Sequence, residues 1–184
     1  MKKNLIILLV MIIFIMLFAC EKNSQALDNN NDLSKIDISN KYDEAKKVYS
    51  WFDIGTLDVD MNDQVVVDDV TYFRVNDEVT EYEDLVNRLE SIFDDAIVQK
   101  LLSSPLYINV NGQLYGVVAD RGTDIRVGEE SHQIKRRNDE EIIYEVSVDL
   151  LGPKGKVEGS KTYNFLLKLY GDDKWRFKEF FMVR

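Results

Sequence analysis

At Pro105 the apolar period of this chain changes from helical to alternating, and that switch constrains the fold more than any other feature. Before it, Tyr82, Leu85, Val86, Leu89, Phe93, Ala96, Ile97 and Leu101 fall on one helical stripe. The stripe predicts one long helix, or two split at Asp94-Asp95, ending near Ser103 because Pro105 restricts the residue before it. Thr80-Glu81-Tyr82-Glu83 reads as a capping box at its start. An earlier helix is predicted from Tyr42, Ala45, Val48, Tyr49 and Phe52, with Ser39 or Asn40 as cap and Gly55 as stop. Between the helices, Leu57 to Val70 is acidic with scattered valines and reads as a loop and a short strand; Thr71 to Val75 reads as a strand.

After Pro105 the period is two. Leu106, Ile108 and Val110 alternate, Asn111-Gly112 marks a tight hairpin turn, and Leu114 to Val118 returns. A glycine-rich loop from Asp120 to Gly128 follows, then a polar strand from His132 to Arg137 that suits a sheet edge. Tyr144, Val146, Val148 and Leu150 share one strand face, and Tyr163, Phe165, Leu167 and Leu169 repeat the pattern. Trp175 and Phe177 begin a last strand, whose phase slip before Phe180 and Met182 predicts a bulge near Lys178-Glu179. Helices first and antiparallel strands second define an α+β domain over residues 41–184. In it, N-terminal helices pack on an antiparallel sheet, as in cystatin or NTF2-like folds.

The start of the chain has a different character. Lys2 and Lys3 precede 15 unbroken apolar residues, Leu5 to Ala19, and then Cys20. A basic start, a short apolar run and a small residue make a secretory signal, and the run is short for a membrane-spanning helix, which needs ~20 residues. Leu17-Phe18-Ala19-Cys20 resembles a bacterial lipobox, with Phe18 bulkier than usual. That resemblance implies a signal peptide over 1–19 and a diacylglyceryl group on the Cys20 thiol. The chain would then be lipid-anchored on the extracytoplasmic face of the cell membrane. An uncleaved anchor helix is the alternative. Residues 20–40 are polar, with the Asp28-Asn29-Asn30-Asn31-Asp32 cluster, and read as a flexible tether. Cys20 is the sole cysteine, so no disulfide forms within the chain.

Charge narrows the partners. The first 19 residues hold two lysines and no acid, so the remainder carries 21 basic and 33 acidic side chains, net −12. Such a surface is repelled by nucleic acid and anionic lipid heads and attracts basic surfaces; the simpler reading is that the charge serves solubility. No catalytic constellation is visible. His132 is the one histidine and reads as a surface residue, and the cysteine is taken by the lipid. The 33 acids offer too many pairs to single out a carboxylate hydrolase. Asp58, Asp60 and Asn62 space like half a calcium loop, but Asp63 replaces the turn glycine and Asp69 is too short for the last ligand, so no metal and no cofactor is expected. Lys135-Arg136-Arg137 alternates faces on a strand and forms no patch.

The Asp120–Gly128 loop admits two readings: a structural turn with internal Asp–Arg pairs, or a recognition loop on a rigid sheet. Together, Thr71–Val75, Asp84–Leu102, Asn111–Gly128 and the closing Trp175-Arg176-Phe177-Lys178-Glu179-Phe180-Phe181 resemble the DL-endopeptidase inhibitor family of Gram-positive bacteria, from about Tyr42 to the end. The resemblance implies a non-enzymatic inhibitor that binds the catalytic domains of papain-like, NlpC/P60-type cell-wall hydrolases and restrains autolysis. On the recognition reading, Asp120 and Asp124 face basic groups of the partner while Arg121 and Arg126 shape the loop. The other functions open to such a domain are an NTF2-like extracytoplasmic protein with a small ligand between sheet and helix, and an NTF2-like carboxylate hydrolase.

Overall fold

The computed structural model describes residues 28–122, 126–171 and 174–183, with side chains from Ile38 onward. The chain divides into Met1–Ile38 and Ser39–Arg184. Among the described residues there are three α-helices and two four-stranded antiparallel sheets. Helix α1 spans Asp28–Asp53, α2 Tyr82–Ile92 and α3 Asp95–Leu102. The first sheet has the order β1-β2-β4-β3, from Val59–Val67, Val70–Val75, Tyr107–Val110 and Gln113–Gly116. The second runs β5-β6-β7-β8, from Val127–Arg136, Glu141–Leu151, Val157–Leu169 and Trp175–Phe177. The α+β arrangement expected from the sequence is present, but its strands form two sheets rather than one.

Several elements follow their local chemistry. The striped segment splits at Phe93–Asp94. The Asp94 carboxylate accepts the Ala96 amide at 2.9 Å and caps α3, and the helix ends at Ser103. Leu85, Leu89, Ile92, Ile97, Val98 and Leu101 are the buried stripe. Buried residues alternate along β6 as Ile142, Tyr144, Val146 and Val148, and along β7 as Tyr163, Phe165 and Leu167. Strand β5 is an edge, as its polar sequence requires.

Four expectations need correction. Helix α1 begins at Asp28, not near Asn40. The capping box does not form: Glu81 is the N-cap of α2 and makes no side-chain cap bond. Residues Thr80 and Glu81 instead extend the first sheet, since the Thr80 carbonyl accepts the Leu114 amide and Glu81 bridges Gln113. The acidic stretch after Leu57 is a nine-residue strand, β1, and not mainly a loop. At the C-terminus β8 stops at Phe177 without a bulge, and the chain bends through Lys178-Glu179.

That bend places Phe180 at the centre of the core. Its ring lies 5.0–6.0 Å from those of Tyr42, Tyr49, Phe93, Phe165 and Phe177. These rings come from α1, the α2–α3 junction, β7 and β8, so a residue beyond the last strand joins the helices to the second sheet. Aromatic pairs at such spacing contribute about 0.5–1.5 kcal/mol each beyond their buried area.

Candidate functional site

The Asp120–Gly128 loop connects the two sheets, and each end is fixed to a different element. At its start the chain lies against the exit of α1. The Thr56 amide donates to the Ala119 carbonyl at 2.9 Å, the Arg121 amide to the Ile54 carbonyl at 2.7 Å, and the Thr56 hydroxyl to the Val117 carbonyl at 2.6 Å. Asp120 bridges Gly55, and its carboxylate accepts the Gly122 amide at 2.8 Å. At its end the Arg126 carbonyl accepts the Leu151 amide at 2.7 Å. Asp120, Arg121 and Arg126 are exposed. Asp124 lies outside the described residues, as does Cys20. Asp120 thus makes a bond within the loop while its side chain stays exposed. Arg126 lies beside the Leu151–Gly155 turn and Glu158 around an open depression of about 480 Å³.

His132 sits in a denser setting than a charged strand suggests. Its ring stacks on Tyr144 with centroids 5.5 Å apart and meets the edge of Tyr42 at the same spacing. Glu130 is 3.9 Å from His132 and accepts a 2.8 Å hydrogen bond from Lys46 of α1. Tyr144 donates to the Ser39 hydroxyl at 3.3 Å. The Tyr42 hydroxyl is buried with no hydrogen bond of normal geometry. Burial, then the Glu130 carboxylate, pushes its pKa far above the ordinary tyrosine value. Burial raises Tyr144 as well. The cluster fastens α1 to the edge of the second sheet by ring packing and one ion pair.

The first sheet carries a polar network among half-buried side chains. Arg74 of β2 donates to the Gln113 side chain of β4, which donates in turn to the Glu81 carboxylate at 2.6 and 2.7 Å. Tyr115 donates to Asp63 of β1 at 2.8 Å, and Arg74 is 3.9 Å from the same carboxylate. This network ties β1, β2 and β4 together and holds the β1–β2 hairpin against the rest of the sheet. The sequence discloses β2 at Thr71–Val75, whereas the length of β1 and its pairing with β2 are seen only in the structure.

Among the described residues, the rings of Tyr42, Phe165 and Phe180 pack against one another between α1 and the second sheet. The cavity lined by Trp51, Phe52, Ile54, Leu106 and Arg121 measures about 10 Å³, the size of a single water site. Asp58, Asp60 and Asn62 lie in or beside strand β1, and the Asp60 carboxylate accepts the Asn62 amide at 2.9 Å, so the segment does not take a calcium-loop shape. Among the described residues no cluster of three or more His, Cys, Asp or Glu could hold a metal. The three basic residues at the end of β5 each meet a carboxylate: Lys135 Glu145 at 2.5 Å, Arg136 Asp139 at 3.8 Å and Arg137 Glu141 at 3.7 Å.

The chain belongs to the IseA DL-endopeptidase inhibitor family, whose sequence profile it matches over residues 29–180. No curated protein matches it. The family match begins within α1 rather than at Tyr42, in keeping with the early start of that helix.

Proposed function

We propose that the protein is a membrane-anchored, non-enzymatic inhibitor that binds the catalytic domains of NlpC/P60-type DL-endopeptidases and restrains autolysis. The observation that carries this reading is the family match, which spans nearly all of the described fold. A lipid on Cys20 would hold the domain on the extracytoplasmic face of the membrane, close to newly made wall. The net charge of −12 beyond the signal favours encounter with basic enzyme surfaces.

The test is a binding and cleavage assay with the full chain purified in detergent and NlpC/P60-type catalytic domains from the same cell. Stoichiometric binding with loss of muropeptide cleavage is the expected result. Full cleavage in the presence of excess inhibitor, for every such enzyme, would defeat the reading. Metabolic labelling with a fatty acid tests the anchor separately: label should enter the wild-type chain and be absent from Cys20→Ala.

A further inference from the structure

We propose that the free end of the β6–β7 hairpin, Pro153 to Lys161, is a basic arm that docks on the anionic phosphate headgroups of the membrane surface, with Val157 entering the interface among its lysines. The proposal rests on the membrane-anchored reading and says which end of the domain meets the lipid.

The charge of this arm runs against the rest of the chain. Residues 150–162 carry Lys154, Lys156 and Lys161 against one acid, Glu158, a local +2 where the chain beyond residue 19 is −12. The lysines are also unspent. Lys46, Lys47, Arg88, Lys135, Arg136 and Arg137 each lie within 4.0 Å of a carboxylate. Among the described residues Lys154 and Lys156 form no ion pair, and Lys161 rests over the Tyr163 ring at 4.7 Å. A Cβ on Gly152 would overlap the Glu158 carboxyl, so the one acid is folded against the turn rather than set between the lysines. Arg126 borders the same turn and adds a further exposed cation.

Burial along the hairpin makes the arm project. Tyr163, Phe165 and Leu167 of β7 are buried, but the residues from Val157 to Thr162 are all exposed. At ~3.3 Å per residue those six positions carry the turn ~20 Å past the last buried residue of the strand. Anionic lipid repels the acidic body of the domain, but charge is screened over ~8 Å at physiological salt. A surface that touches the turn therefore meets the lysines and not the body. The turn itself is closed: the Gly152 amide donates to the Lys156 carbonyl at 2.8 Å, and the Gly155 amide to the Gly152 carbonyl at 3.2 Å. Beside it Val157 is 59% exposed. An apolar side chain among lysines suits the boundary of headgroup and acyl chain, where the valine enters and the amines stay with the phosphates. Shape decides among anionic occupants. A nucleic acid or a phosphate polymer wants a track of cations along the domain, which an acidic body does not offer. A planar surface needs cations at one end alone.

The experiment adds the full chain, from detergent, to preformed vesicles of phosphatidylcholine alone or mixed with an equal part of phosphatidylglycerol. Lysines are labelled with an uncharged, water-soluble amine reagent and read by mass spectrometry, with exposed Lys100 of α3 as the reference. Lys154 and Lys156 should be labelled at least fivefold less on the anionic vesicles than on the neutral ones, and Lys100 equally on both. High salt should abolish the difference. In K154Q/K156Q, Lys161 should be labelled equally on the two vesicles. Equal labelling of Lys154 and Lys156 in wild type, with the chain floating with both vesicles, would overturn the arm's role and leave the anchor intact. A chain that floats with neither would remove the anchored reading, and the arm's role with it. Soluble poly(glycerol phosphate) covers the other occupant. If it protects the lysines on neutral vesicles as strongly as phosphatidylglycerol does on anionic ones, the arm belongs to a phosphate polymer and the lipid assignment is overturned.

Discussion

Two hairpins of the first sheet are built on the same plan and are held in different ways. Both join antiparallel strands through two residues of left-handed backbone, Asn111-Gly112 with φ of 54° and 91° and Asp68-Asp69 with φ of 49° and 63°. In β3–β4, turn chemistry and packing agree. The Asn109 side chain accepts the Gly112 amide at 2.8 Å, the Gly112 carbonyl accepts the Tyr82 amide at 2.9 Å, and Leu114 and Tyr107 are buried. In β1–β2 the two conflict: the turn is strained and the valines beside it face solvent. Agreement across levels marks a structural element, and the β1–β2 hairpin lacks that agreement. The hairpins thus separate a part of the first sheet locked by packing from one whose valines are exposed.

The largest test of that separation is Tyr107. Its hydroxyl donates to the Trp51 carbonyl at 3.1 Å and accepts the Leu57 amide at 2.8 Å, so one side chain joins β3 to the exit of α1. The ring lies 3.0 Å from where a Cβ on Gly116 would stand, which explains a glycine in that strand. Tyr107→Ala should cost about 3–5 kcal/mol in urea unfolding, and Tyr107→Phe about 1–3 kcal/mol, from two buried groups left unpaired. V66T/V67T should shift the same midpoint hardly at all. A comparable loss in both would erase the distinction between the hairpins.

The turns themselves give the next two effects, of opposite sign. Gly112→Ala puts a side chain at positive φ and should destabilise by about 1–2 kcal/mol. D68N/D69G relieves that strain in the other hairpin and should stabilise by about 0.5–1 kcal/mol, seen as a higher melting temperature. Destabilisation by D68N/D69G would mean that the aspartates brace the fold, and the contrast would then fail at its sharpest point.

The same contrast explains what the sequence discloses. Asn111-Gly112 is legible because its turn preference and its flanking apolar residues point the same way. Asp68-Asp69 is not, since the pair is common in solvated loops and only the backbone shows its left-handed form. The split at Asp94 and the faces of β6 and β7 are legible because period and capping chemistry coincide there. The start of α1 is not: Asp28 to Asn40 has the composition of a tether and no apolar stripe. Phe180 escapes a strand-based reading because it reaches the core by a bend, not by alternation. At the candidate loop, spacing identifies an exposed connection, but it cannot show that the Asp120 carboxylate accepts the Gly122 amide.

The smallest effect tests whether the two hairpins move as one. Tyr115 of β4 donates to Asp63 of β1, and that bond, with a lesser contribution from burial, raises the tyrosine pKa above its ordinary value of 10.0. A tyrosine whose pKa is raised by folding stabilises the native state fully below the unfolded value, and the contribution is lost as pH climbs through the raised one. Below about pH 9 the bond therefore contributes in full. Above it, ionised Tyr115 would stand against the Asp63 carboxylate and push β1 from β4. Tyr42, Tyr107, Tyr144 and Tyr170 also have raised pKa values, so wild type alone cannot isolate the effect. The difference between wild type and Tyr115→Phe can. Their urea midpoints should differ at pH 8, converge as pH rises and cross over at the alkaline end. A gap that stays constant with pH would show that the hydroxyl does not couple the hairpins, and that the Arg74–Gln113–Glu81 chain alone positions the projecting one.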